Sequence, residues 1–144
     1  MSSHRITIFL ICVLLLAFQY PSGRAIRFSN HWRVGVENGL SHKKTLLVHC
    51  KSGDDDLGAH YLSVGSEFSW EFKMNYFANT LFWCYFAPDR YHHASTNVFW
   101  YSDHLFQRCF ENNCSWVARD DGVYLRNIPL RSEEFMKGWD RGLK

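Results

Sequence analysis

This sequence has little excess charge: 16 Lys and Arg stand against 14 Asp and Glu in 144 residues. Nucleic-acid grooves depend on a surplus of Lys and Arg to displace counterions, so the balance argues against nucleic acid as a partner. No basic run is dense enough to hold an anionic membrane surface. Long hydrophobic runs are missing too. The longest, residues 6–18, is apolar but for Thr7 and has 13 residues, whereas a membrane-spanning helix needs roughly 20. No HExxH or comparable ligand spacing occurs, and there is no internal repeat, low-complexity linker or second domain.

What is present begins with an address. Arg5 supplies a basic start, residues 6–18 an apolar centre, and residues 19–25 a polar stretch that ends in small side chains near Gly23 and Ala25. That order predicts a cleaved secretory leader over residues 1–25, with an uncleaved anchor disfavoured by the short run, and one domain over residues 26–144. Removing the leader takes away Arg5 and Arg24, leaving 14 basic side chains against 14 acidic ones. About 120 residues suffice for one core that buries roughly two thirds of the unfolded chain's surface. The reading is of a protein secreted to the extracellular space, with no membrane insertion once the leader is gone.

Period-two patterning runs through the rest. Trp32, Val34 and Val36 alternate with Arg33, Gly35 and Glu37; Phe68, Trp70, Phe72 and Met74 alternate with Glu67, Ser69, Glu71 and Lys73. Each is the signature of a strand with one buried face. Residues 81–86 are apolar on both faces, as a central strand requires. Residues 97–101, 115–119 and 123–126 follow, with Asp121-Gly122 as hairpin-turn residues between the last two. Turn signals every eight to fifteen residues then predict an all-β fold: a small disulfide-linked antiparallel sandwich of about seven or eight strands. Ser132 is placed to cap a short C-terminal helix carrying Phe135 and Trp139 at i and i+4, which Gly138 weakens.

Five cysteines become four once Cys12 leaves with the leader, and four in a small exported chain read as two disulfides with three open pairings. Cys50 and Cys84 lie within apolar strands, while Cys109 and Cys114 flank a turn. The preferred pairing joins each turn cysteine to a different strand, Cys50 to Cys114 and Cys84 to Cys109. A direct Cys109–Cys114 bridge across the short loop is also compatible with disulfide reach.

Residues that carry chemistry elsewhere find plainer roles here. Asp54, Asp55 and Asp56 are consecutive, so they do not converge on a calcium ion as alternating loop acids do; they read as a turn whose carboxylates accept backbone N–H groups. His92 and His93 are adjacent, point to opposite faces of an extended chain and make a poor chelate, so they read as a solvated loop beside Pro88 and Asp89. The carboxylates available for glycosidase chemistry, Asp120-Asp121, Glu67 with Glu71, and Asp103, fit turns and wet strand faces better. No histidine pair sits in a ribonuclease-like context. The sequence predicts no enzyme, no metal and no cofactor.

Four stretches carry a family likeness: residues 45–58 (TLLVHCKSGDDDLG), 80–86 (TLFWCYF), 97–101 (NVFWY) and 109–125 (CFENNCSWVARDDGVYL). Together, over residues 34–128, they closely resemble the plant self-incompatibility S1 family. The resemblance makes the DDDLG block a structural hallmark. It implies a non-enzymatic secreted signalling ligand, like the stigma-side S-proteins, that binds a plant cell-surface receptor in reproduction or development. The runner-up is a secreted defence protein, either glycan-binding, with Tyr76 or Tyr91 stacking on sugar rings, or antimicrobial. Loop tips are the expected contacts: Ser52, Asp54, Asp55 and Asp56; Asp89, Arg90, Tyr91, His92 and His93; and Glu111 and Asn112. One N-glycosylation sequon begins at Asn113, with Cys114 as its middle residue, and residues 41–45 (SHKKT) lack the sequon that relatives often carry.

Overall fold

The structure, a computed structural model, describes residues 30–75 and 77–142 together with His4, Ile6 and Ile8. The rest of the expected leader, including Cys12, lies outside the described residues, as does Tyr76. Ten strands and one short helix follow in order: β1 (His31–Asn38), β2 (Leu46–Ser52), β3 (Asp56–Leu62), β4 (Glu67–Lys73), β5 (Phe82–Ala87), β6 (His92–Phe99), α1 (Asp103–Phe106), β7 (Asn113–Arg119), β8 (Gly122–Asn127), β9 (Ser132–Gly138) and β10 (Asp140–Arg141). They form two five-stranded sheets, ordered β4-β1-β7-β8-β9 and β10-β6-β5-β2-β3.

The alternation in the sequence is what closes the two sheets on each other. Val34 and Val36 of β1, Val48 and Cys50 of β2, Cys84 and Phe86 of β5, and Trp116 and Ala118 of β7 are all fully buried or nearly so. They occupy every second position of their strands, so each sheet turns one apolar face inward. Trp116 is the largest of the fully buried side chains and donates its indole N–H to the Val98 carbonyl at 2.9 Å, so its one polar atom is satisfied across the core. The doubly apolar segment predicted to be central is β5, paired on both sides with β2 and β6.

Three expectations are corrected. The first sheet is mixed, because β1 and β7 pair in parallel. The chain leaves β1, builds most of the second sheet and returns through α1, a crossover of the length a parallel pair needs. The expected C-terminal helix is strand β9, paired with β8, where Phe135 meets Tyr124 edge-on. An unpaired β8 edge offered more hydrogen bonds than a helix interrupted by Gly138. The one described helix of the domain is α1, capped by the Ser102 hydroxyl. The disulfides are Cys50–Cys84 and Cys109–Cys114. Cys50 and Cys84 are direct cross-strand partners on the inner face of β2 and β5, whereas Cys114 belongs to the opposite sheet.

Registers place the connections at two ends. The β1–β2, β3–β4, β5–β6, β7–β8 and β9–β10 connections lie at one, called here the upper end. The β2–β3, β4–β5 and β8–β9 connections, with α1 and the turn into β7, lie at the lower end. Gly122 illustrates how tightly the upper hairpin is built: a Cβ there would stand 2.3 Å from the Lys137 carbonyl oxygen.

Candidate functional site

The loop residues singled out in the sequence separate onto opposite ends of the sandwich. Ser52, Asp54, Asp55, Asp56, Glu111 and Asn112 lie at the lower end; Asp89, Arg90, Tyr91, His92 and His93 lie at the upper end. They therefore do not form one surface.

At the lower end, hydrogen bonding makes both segments parts of the frame. The Ser52 hydroxyl accepts from the Asp54 and Asp55 N–H groups at 3.3 and 3.0 Å, and the Ser52 N–H donates to the Asp55 carbonyl at 2.8 Å. The serine therefore caps the turn, and the expected capping by Asp54 and Asp55 is corrected: their side chains are exposed and accept no hydrogen bond among the described residues. Asp56 does what was expected of all three. Its carboxylate meets the His49 ring, accepts from the Gly58 N–H at 2.9 Å and pairs with the Lys51 ammonium at 3.1 Å. The His49 ring first, then the Gly58 N–H and Lys51, hold the Asp56 carboxyl well below the usual carboxylate range. Gly58, at φ 78°, supplies the left-handed residue that this bend needs. A cleft of about 430 Å³ opens beside the turn, with Asp54, Asp55 and Asn75 on its rim and Phe72 and Trp83 in its wall.

Glu111 and Asn112, at φ 47° and 61°, form a two-residue left-handed turn between Phe110 and Asn113, whose backbones exchange both hydrogen bonds. The Cys109–Cys114 bridge closes the next pair outward, with Cα atoms 4.5 Å apart. Asn112 is tied to β1 through its side-chain amide on the His31 carbonyl and its carbonyl on the Arg33 N–H. Asn113, the sequon asparagine, opens β7 half-buried and donates to the Glu111 carbonyl.

The upper end is where a loop is displayed rather than consumed. Asp89 organises it: one carboxylate oxygen accepts from the Tyr91 N–H at 2.8 Å, the His92 N–H at 2.9 Å and the His92 ring at 2.9 Å. Burial pushes the Asp89 carboxyl up, but the Tyr91 N–H and the His92 contacts outweigh it and leave it below its ordinary value. Arg90 and Tyr91 then project from a fixed base, with the guanidinium 4.9 Å from the ring centroid and Tyr91 59% exposed. The histidines do point to opposite faces, yet both belong to β6 and neither is loop. His93 is buried, lies against Tyr85 at 5.9 Å and bonds the Gly142 carbonyl at 3.0 Å, so it fastens the C-terminal strand β10. The solvated-loop reading is corrected for that reason.

Three neighbouring loops complete this end. Asp120 accepts from the Ser41 N–H at 3.0 Å; the Ser41 hydroxyl and N–H together keep Asp120 below its ordinary value. Asp121 accepts from the Tyr124 hydroxyl at 2.6 Å. With Asp89, Lys44 and Arg141 they surround a cleft of about 270 Å³, which meets a shallower one of about 410 Å³ at His92 and Arg141. Of the carboxylates weighed for hydrolysis, Asp120 and Asp121 share the deeper cleft, each engaged by a neighbour, whereas Glu67 is paired with Arg33, Glu71 is exposed on β4 and Asp103 starts α1. Among the described residues no three His, Cys, Asp or Glu side chains are grouped to hold a metal, and no helix is long and apolar enough to cross a membrane.

Sequence reasoning missed Asn38. It is fully buried at the end of β1, its amide donates to the Lys44 and Leu62 carbonyls at 2.8 Å each, and its side-chain oxygen accepts from Leu40 N–H at 2.9 Å. Asn38-Gly39 is a pair that favours a turn, but nothing in the sequence signals that the Asn38 side chain ties the β1–β2 connection to the end of β3. The Lys44 and Arg141 cleft was missed as well, since its parts lie almost 100 residues apart in the chain.

The comparisons agree with this architecture. Residues 33–139 match the family model described as plant self-incompatibility protein S1. S-protein homolog 1 and S-protein homolog 74 of Arabidopsis thaliana are each 42% identical over 113 residues, covering 78% of this chain and 74% of theirs. A solved structure of an SPH (self-incompatibility protein homologue) protein, described as belonging to a widespread family of small, highly stable, secreted plant proteins, superposes with a TM-score of 0.57 at 21% identity, over 80% of this chain and 98% of that one. The chain belongs to the plant self-incompatibility protein S1 family.

Proposed function

We propose that this protein is a secreted, non-enzymatic signalling ligand that binds a receptor protein on the plant cell surface through the upper end of its sandwich. The observation that carries the reading is the Asp89 loop. Three hydrogen bonds to one carboxylate oxygen fix the backbone, so Arg90 and Tyr91 are presented with little ordering left to lose on binding. Arg and Tyr are also the side chains that most often carry binding energy at protein interfaces. Secretion is supported by the leader-like residues 1–25 and by the description of the solved relative as secreted. The absence of enzymatic chemistry is supported by the engagement of Glu67, Asp89, Asp120 and Asp121 in loop and strand hydrogen bonds or ion pairs.

The test is binding of labelled protein to intact floral cells. The reading expects saturable binding that disappears when surface proteins are removed by protease. Non-saturable binding, or binding indifferent to protease, contradicts it. Protein recovered from the medium of expressing plant cells is expected to start near residues 24–27 and to show no free thiol.

A further inference from the structure

The upper-end double cleft has a donor and acceptor pattern that the receptor reading does not use. Its acidic side chains accept hydrogen bonds from neighbours, and its basic ones donate none among the described residues. Asp120 and Asp121 each serve one neighbour, and a carboxylate has about four lone-pair sites, so both retain acceptor capacity; Asp89 is already engaged through both oxygens by the Tyr91 and His92 N–H groups and the His92 ring. Among the described residues the Arg141 guanidinium donates no hydrogen bond, and the Lys44 ammonium answers Asp120 only through space. Both cations line the deeper cleft, and Arg141 continues into the shallower one beside the exposed ring of Tyr91.

A simple anion would bring no donor to the carboxylates beside Arg141 and Lys44, and a cation would meet those two basic groups. A ligand that suits the cleft carries a carboxylate for the cations, several hydroxyl donors for the spare aspartate oxygens, and a ring with an apolar face for Tyr91. That combination is a uronate-containing saccharide. An extended peptide fits less well, because the strand bordering the cleft, β10, has only two residues and so offers little main-chain edge to pair with. We propose that the double cleft binds a uronate oligomer, with Arg141 and Lys44 on the carboxylates, Asp120 and Asp121 on the hydroxyls and Tyr91 under a sugar ring. This goes beyond the receptor reading and stands without it, since the assay contains no cell.

The probe is an α-linked galacturonate oligomer of about six sugars, large enough to fill both clefts, titrated calorimetrically into the purified protein at low salt. Binding of the free acid is expected, with its methyl ester at least about tenfold weaker because the charge-assisted bonds are lost. Arg141→Ala, Lys44→Ala and Tyr91→Ala are each expected to weaken binding by about tenfold. Lys73→Ala, a basic residue at the opposite end, is expected to leave it unchanged. All four substitutions lie at exposed positions, and melting curves check that the variants are folded. Equal affinity for ester and acid, no binding at low salt, or full affinity in the folded Arg141→Ala and Lys44→Ala variants overturns the proposal. A glutamate oligomer that binds as tightly as the uronate also overturns it, and assigns the cleft to acidic peptides.

Discussion

Replacing Asn38 with alanine removes the side chain that holds the upper end together, and the cost can be worked from its contacts. Asn38 is fully buried and makes three side-chain hydrogen bonds, to the Lys44 and Leu62 carbonyls and from the Leu40 N–H. Each contributes about 1 kcal/mol net, and a buried partner left without its donor adds a further ~1 kcal/mol or more. The expected loss is therefore about 3–4 kcal/mol, a large part of the ~5–15 kcal/mol that stabilises a typical domain. For a domain of this size that lowers Tm by roughly 10–15 °C. Asn38→Asp is expected to be worse at neutral pH: it keeps the acceptor for Leu40, loses both donors and places a charge among carbonyl oxygens in a dry site. Thermal unfolding by circular dichroism on both variants and wild type is the assay. A fall of less than about 3 °C for Asn38→Ala would refute the claim that this residue anchors the loops.

Other consequences follow from the same structure. The Cys50–Cys84 bridge closes a sequence separation of 34 and the Cys109–Cys114 bridge one of 5; chain entropy then predicts that removing the first pair costs about 4 kcal/mol and the second about 2 kcal/mol. Equal losses in denaturant titrations of the two double-alanine variants would contradict that ranking. Trp70, packed between Phe68 and Phe82 and half-buried, is expected to cost about 3 kcal/mol on truncation to alanine, against about half a kcal/mol or less for its exposed neighbour Glu71. Arg119, aided by Arg126, holds the Glu133 carboxyl below its ordinary value. A carboxyl depressed by folding stabilises the protein above its unfolded pKa and loses that contribution as pH falls through the folded one. Glu133→Gln is therefore expected to flatten the fall in stability on going from about pH 5 to about pH 3, and an unchanged slope in urea titrations at the two pH values would count against the ion pair.

The parts of this fold legible in the sequence are those written in local periodicity. The alternation of residues 67–74 is strand β4, the doubly apolar segment is the central β5, and the β7–β8 hairpin turns one residue earlier than expected, at Asp120 and Asp121, with Gly122 opening β8. Pairing between distant strands has no local signature. The parallel β1–β7 ladder, the cross-strand position of Cys50 against Cys84, and the short β10 against His92 and His93 all depend on which strands become neighbours. Strand β3 was hidden because its glycine and polar residues read as turn, although β2 supplies its hydrogen bonds. The same limit applies to the site. The Asp89 loop could be proposed from its turn residues, but its base of β6 histidines, and its separation from Ser52 and Glu111 by the length of the sandwich, required the sheet registers.

The central claim is that the upper-end loop is a recognition surface for a cell-surface protein. Replacing Arg90 and Tyr91 together with serine removes the displayed side chains while keeping Asp89 and the β6 histidines that fix the backbone. The decisive measurement is saturable binding of wild type and this double variant to intact floral cells, with melting temperatures taken on the same preparations. The account predicts an unchanged melting temperature and binding weakened about tenfold or more, as expected for the loss of interface anchors. A folded variant that binds the cells as tightly as wild type would contradict it.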